Sequence, residues 1–172
     1  AVFLLMTRGP PRPTRALTLL PKTAHVRATS AISVDNARFR VNVFHKDTGV
    51  GAVFRAIPSE VPSLDSLNLP PVVKKFCDFH QGMVLVTGST GTGKSTTLAA
   101  MIDHLNRTRR LNIVSLEDPI EFVHRSKNSQ VIQRELHTHL PSFAEGVRAA
   151  MREDPDVILV GELRDADTVR WA

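Results

Sequence analysis

The sequence has 172 residues, 42% of them hydrophobic and 23% charged, with one cysteine and a formal net charge of +5. That is enough chain for one domain, or for one and part of another. It excludes an internal disulfide, and its longest apolar runs, such as 83–86 and 157–160, fall far short of the ~20 residues of a membrane-spanning helix. Arg8, Arg12, Arg15, Lys22 and Arg27 lie in the first 34 residues with no acid among them, so residues 35–172 are electrically balanced and offer no basic stripe to a nucleic acid.

Residues 1–34 hold Pro10, Pro11, Pro13 and Pro21, which speak against a regular element across 10–13. The acid-poor, Arg- and Thr-rich texture is that of a transit peptide, but the chain starts at Ala1 rather than methionine. The segment is read as unassigned: disordered, or foreign to the fold. The chain also ends just past a predicted helix start, so it is read as a fragment.

From Ala37 onward the pattern changes. Residues 38–44, RFRVNVF, alternate polar and apolar with the period of a half-buried strand. His45 to Gly51 supplies turn residues, and 52–57 alternates again. An antiparallel hairpin is expected over 35–60, with Phe39, Val41, Val43 and Val53 on one face. Pro58, Pro62, Pro70 and Pro71 mark a linker over 61–80 with one helical turn, and a boundary near 60–75.

Residues 81–172 alternate strand, loop and helix. The apolar run 83–87 predicts a buried parallel strand. Lys94 to Asn106 is a helix with Leu98, Met101, Ile102 and Leu105 on one face, and 113–116 is the next strand. Ser142 and Glu145 form a capping box for a helix on one face of which Phe143, Val147 and Met151 recur, and which stops at Pro155. Residues 157–160 are a third buried strand, and another helix starts near Asp165. The alternation predicts an α/β fold with a mostly parallel sheet.

The most specific signal is Gly88-Ser89-Thr90-Gly91-Thr92-Gly93-Lys94-Ser95, the G-x-x-x-x-G-K-[ST] pattern of a phosphate-binding P-loop. Its glycines let the backbone curl round a phosphate and present N–H groups to it. Lys94 reaches the β and γ phosphates, Ser95 offers its hydroxyl to magnesium, and the following helix points its positive end at the anion. Such a loop needs an acid on a neighbouring strand. Glu162, after the apolar run 157–160, stands at a strand's C-terminal end, where ligands of α/β sheets bind; read structurally, it would serve the N-terminus of the next helix. Glu117, Asp118 and Glu121 crowd three carboxylates into five residues after another strand, an arrangement that bound cations would stabilise. One of them could orient or deprotonate an attacking water.

Other residues favour bland readings. Cys77 is a small buried hydrophobe. His137 and His139, without further ligands nearby, make a poor zinc site. Arg148 and Arg152, four apart on the capped helix, could face a neighbouring subunit, but the plainer reading is a solvated helix face.

With the hairpin, these segments resemble the secretion ATPase superfamily of type II secretion and type IV pilus motors, and most of all the PilT-type twitching motility (pilus retraction) ATPases. The resemblance rests on RFRVNVF at 38–44, GAVFRAIPS at 51–59, LVTGSTGTGKSTTLAAMID at 85–103, LEDPIEFVH at 116–124 and REDPDVILVGELRD at 152–165. It implies a RecA-like P-loop NTPase core preceded by part of a small α+β, PAS-like domain. It makes Gly88 to Thr96, Thr96 included, the Walker A segment that binds ATP and Mg2+. Glu121 becomes the residue that activates water, and Glu162 the Walker B glutamate, catalytic and beside the metal with Ser95. Arg40 and Arg55 become nucleotide-binding arginines of the N-terminal domain, the alternative being ordinary edge-strand charges.

The same resemblance implies a homo-hexamer in the full-length protein. The ring would be cytoplasmic, peripheral at the inner-membrane pilus base against a platform protein, without nucleic acid and without membrane insertion. The family's His box and C-terminal helical region would follow Ala172, so this piece is expected to bind nucleotide weakly and hydrolyse it poorly. Two other readings stand beside pilus retraction: a pilus-assembly or type II secretion ATPase, and a truncated module that binds nucleotide without turnover.

Overall fold

The computed structural model describes residues 28–34, 37–58 and 60–172. The chain divides after Ser59, with residues 28–58 in one compact unit and 60–172 in another.

In the first unit, β1 (Ala28–Val34), β2 (Ala37–Lys46) and β3 (Gly49–Ile57) form an antiparallel sheet in that order. β1 corrects the unassigned reading of residues 1–34: its last seven residues pair with β2 from Ala28 opposite Val43 to Val34 opposite Ala37. The prolines that argued against structure all lie upstream of this strand; residues 1–27 are outside the described residues. The turn is tighter than expected. Lys46 pairs with Gly49, leaving only Asp47 and Thr48 as the loop, and Gly49 takes the φ of +119° that glycine tolerates.

Register also moves Val53. Directly opposed residues share a face, and Val41 faces Phe54 while Val53 faces Asn42. Val41 is buried and Val53 exposed, so Val53 is not on the face of Phe39, Val41 and Val43.

The second unit is built on a parallel sheet ordered β5-β4-β6: β4 is Asn112–Glu117, β5 Gln130–Glu135 and β6 Val157–Val160. Ile113 to Leu116 and all of β6 are buried, as expected of parallel strands covered on both faces. The helices are α1 (Val72–Phe76), α2 (Lys94–Thr108), α3 (Phe143–Ala150) and α4 (Ala166–Trp171). Met101, Ile102 and Leu105 of α2 and Phe143, Val147 and Ala150 of α3 join β4 and β6 in one core. Burying each Leu, Ile, Val, Met or Phe side chain of this core contributes about 1.5–3 kcal/mol. Gly146 lets α3 approach β4, since a Cβ there would sit 2.9 Å from Leu116 Cδ1.

Several expectations change here. Residues 61–80 are not a free linker, because Leu64 and Cys77 are buried in this core; the prolines interrupt regular structure without forcing exposure. Burial pushes the Cys77 thiol up to about 11, in keeping with an inert side chain. Residues 83–87 lie in no ladder: Met83 and Leu85 are exposed, and β6 pairs with β4 alone among the described strands. α3 ends at Ala150, five residues before Pro155, so Met151 is its C-cap and is exposed, while Phe143 and Val147 are buried. Of the capping box, Ser142 Oγ accepts from Glu145 N at 3.2 Å, while the Glu145 carboxylate lies 4.0 Å from Arg148. No described helix is long and apolar enough to cross a membrane.

Candidate nucleotide site

The P-loop is held by its own residues. Thr92 Oγ1 donates to Ser89 O at 2.8 Å, and Lys94 Nζ donates to Gly88 O at 2.9 Å and to Ser89 O at 2.7 Å. Thr97 N donates to Gly93 O at 2.8 Å and opens α2, whose N-cap is Gly93 at φ +89°. Gly88, at φ +150°, has room for no Cβ, which would meet Thr92 Oγ1 at 2.7 Å. The loop is therefore curled, its ammonium lies over its carbonyls, and residues 88–92 are exposed to an incoming anion.

The acidic loop, by contrast, is held by other elements. It leaves β4 at Glu117, whose Oε1 accepts from Ser115 Oγ at 3.1 Å, passes a cis Asp118–Pro119 bond, and buries Pro119 and Ile120. Two polar residues of β5 then clamp it. Glu135 Oε2 accepts from Ile120 N at 3.2 Å. Gln133 Oε1 accepts from His124 N and Gln133 Nε2 donates to Phe122 O, both at 2.9 Å.

Further along, α2 takes over. Asn106 Nδ2 donates to Arg125 O at 2.8 Å, and Asn106 Oδ1 accepts from Lys127 N at 2.9 Å. Asp103 pairs with Arg107 at 2.5 Å and with Lys127. Burial pushes the Asp103 carboxyl up, but the bonds to Lys127 and Arg107 outweigh it and hold it below its ordinary value. The helix that begins at the P-loop thus also anchors the far end of the acidic loop.

These two loops meet at a cavity of about 40 Å³ lined by Ser95, Leu98 and Ala99 of α2, Glu117, Glu121, Phe122 and His124 of the acidic loop, and Leu159 and Gly161 at the end of β6. Gly161 N donates to Leu116 O at 3.0 Å, which sets the end of β6 against β4. Ser95 and Glu121 are therefore brought together. Glu162 is the residue after the cavity wall, and its Oε2 pairs with Arg164 at 2.8 Å. It is not the cap of the next helix: Asp165 Oδ1 accepts from Thr168 N at 2.7 Å in that role, and these bonds hold the Asp165 carboxyl below its ordinary value. The expected strand-by-strand adjacency of Glu162 and the P-loop is not present, because residues 83–87 join no ladder.

Arg40 and Arg55 belong to the other unit, where they stand directly opposite each other on β2 and β3. His139 Nδ1 accepts from Glu135 N at 2.9 Å, a structural task, and Arg148 lies over the Trp171 ring at 4.9 Å. Residues missed from the sequence are Gln133, Glu135 and His124. For the first two the available signal is a pair of polar residues two apart, next to Val131 and Ile132; for His124 it is position alone.

A family model described as Type II/IV secretion system protein matches residues 19–172, which takes in residues 19–34 of the stretch read as unassigned. The Type IV pilus retractation ATPase PilT of Pseudomonas aeruginosa is 57% identical over 136 residues, covering 79% of this chain and 40% of that protein. A Twitching motility protein of Neisseria gonorrhoeae is 59% identical over 136 residues, covering 79% and 36%. The chain thus spans about two fifths of the length of these curated relatives. Among solved structures, the pilus retraction motor PilT with bound ADP superimposes with a TM-score of 0.80 at 48% identity, covering 84% of this chain and 42% of that one. The fold is the α/β P-loop NTPase fold with a parallel sheet core, and the chain belongs to the type II/IV secretion system protein family.

Proposed function

We propose that this chain is the nucleotide-binding part of an ATP-hydrolysing motor subunit that powers type IV pilus retraction. The observation that carries the reading is the shared cavity, where Ser95 at the start of the P-loop helix faces Glu117 and Glu121 across one small space. The retraction motor that superimposes here binds ADP, by its own description.

The residues fit nucleotide and Mg2+. Backbone N–H groups of residues 88–93 and the N-terminus of α2 receive the phosphates, and Lys94 exchanges its carbonyl partners for phosphate oxygens. Thr96 follows within the first turn of the same helix. Ser95 and Glu162 hold the metal or its waters, the sparse protein ligation that suits magnesium. When bound, the ion neutralises charge that develops on the phosphates. Glu121, held on a clamped loop, orients the attacking water. Arg40 and Arg55 place two guanidinium groups on one face of their hairpin, an arrangement that an anion relieves.

In the full-length protein the subunit works in a homo-hexameric ring. The ring lies at the cytoplasmic side of the inner membrane, against the pilus platform, without contacting nucleic acid. The test is Glu162→Gln in single-turnover ATP cleavage with titration of a fluorescent ATP analogue and magnesium. A motor keeps its affinity and loses cleavage; a chain that only binds nucleotide shows no rate to lose.

A further inference from the structure

Glu135, the last residue of β5, is buried, and its two carboxylate oxygens serve different segments. Oε2 accepts from Ile120 N at 3.2 Å, and Oε1 accepts from Thr138 Oγ1 at 3.1 Å. The first bond holds the acidic loop. The second holds an exposed turn, residues 137–139, none of which lines the cavity. That turn closes without the carboxylate. Glu135 O accepts from Thr138 N at 3.2 Å and from His139 N at 2.8 Å, and His137 N donates to Leu140 O at 2.8 Å. Glu135 N donates to His139 Nδ1 at 2.9 Å. A buried carboxylate is costly, and the turn has its backbone bonds already, so what this one adds is the join between turn and loop.

At the loop end the join falls beside Glu121. Ile120 and Phe122 are buried, and Ile120 N and Phe122 O are taken by Glu135 and Gln133, which share the inward face of β5. Glu121 stands between these two held residues and lines the cavity with Ser95. We propose that Glu135 is a positioning residue for hydrolysis, its two oxygens tying the exposed turn 137–139 to the backbone that carries Glu121, so that the turn sets where the Glu121 carboxylate stands. The effect on rate rests on the ATPase reading; the tie between turn and loop rests on geometry alone. Glutamine keeps both ends of the tie, with its oxygen accepting from Ile120 N and its amide donating to Thr138 Oγ1, because a hydroxyl both gives and accepts. Alanine keeps neither.

The tie is read from backbone amide signals in nitrogen–proton correlation spectra of the intact chain. Thr138→Val removes one hydroxyl from the turn and is expected to move the Ile120 and Glu121 signals; signals that stay in place overturn the proposal. The rate is read from Glu135→Gln and Glu135→Ala with ATP. The first is expected to hold kcat and KM within about threefold. The second is expected to lose about a hundredfold in kcat, the effect of a ~1 Å misplacement, with KM within about twofold. A wild-type kcat in the alanine variant, or a glutamine variant as slow as the alanine one, overturns the proposal. If the alanine variant does not fold, Thr138→Val carries the kinetic test, with kcat expected about fivefold lower and an unchanged kcat overturning the proposal. If the wild-type chain cleaves no ATP, the ATPase reading fails, and the amide signals still decide whether turn and loop are tied.

Discussion

The P-loop and the acidic loop face the same cavity but are built on opposite plans. The P-loop is exposed and held by its own residues, with Thr92 and Lys94 bonding carbonyls no more than six positions away. The acidic loop buries Pro119, Ile120, Phe122 and His124, and its clamps come from β5 and α2, from 9 to 24 positions away. A loop that receives a ligand through its backbone gains from local, rearrangeable bonds. One that must hold a carboxylate against a reacting group gains from being fixed by neighbours that do not move with it.

Substitutions in the two loops should therefore fail in different ways. The largest effect is expected from Lys94→Ala, which removes the only long cation of the P-loop. Nucleotide affinity should fall at least about a hundredfold, by the worth of charge-assisted bonds to phosphate, with thermal stability little changed. Fluorescent-nucleotide titration and a melting curve measure both. A large fall in melting temperature would show that the P-loop is part of the rigid frame after all.

Next is acid. Burial pushes the His124 imidazole down to about 4 from an ordinary 6.5. The unfolded chain takes up the proton first, so stability is full above pH 6.5 and is lost as pH falls toward 4. That is about 3 kcal/mol over the window. Asp103, held below its ordinary value of 3.8, contributes only below that window. Urea unfolding at pH 7 and pH 4.5 should show the loss in wild type and a much smaller one in His124→Gln.

A smaller effect is expected for Gln133→Ala. It leaves His124 N and Phe122 O without their partners and should cost about 2 kcal/mol. Amide exchange should quicken across 120–124 while nucleotide affinity stays within about twofold. Unchanged exchange there would mean that β5 does not clamp the loop.

The same contrast explains what could be read in advance. The P-loop was legible because its chemistry is backbone chemistry, and glycine spacing records it directly. α2, β4 and β6 were legible from one apolar face or an unbroken apolar run. β5 was missed because its buried face is Val131, Gln133 and Glu135. Two of its three inward residues are polar, since they serve the acidic loop and not the core, and that defeats a search for apolar alternation. The run 83–87 failed in the other direction: it is apolar enough for a buried strand, yet partners decide pairing, and here it has none in a ladder. The cavity joins residues 95, 121 and 161, a long-range meeting that no local pattern encodes.

The central claim is that binding resides in the self-held P-loop and hydrolysis in the clamped carboxylate across from it. Single-turnover cleavage of ATP with magnesium by Glu121→Gln, alongside its ATP affinity, tests this most directly. Cleavage is expected to fall at least about a hundredfold, the lower end for a lost general base, with affinity within about twofold. Cleavage at the wild-type rate, or an equal loss of binding and cleavage, would contradict it.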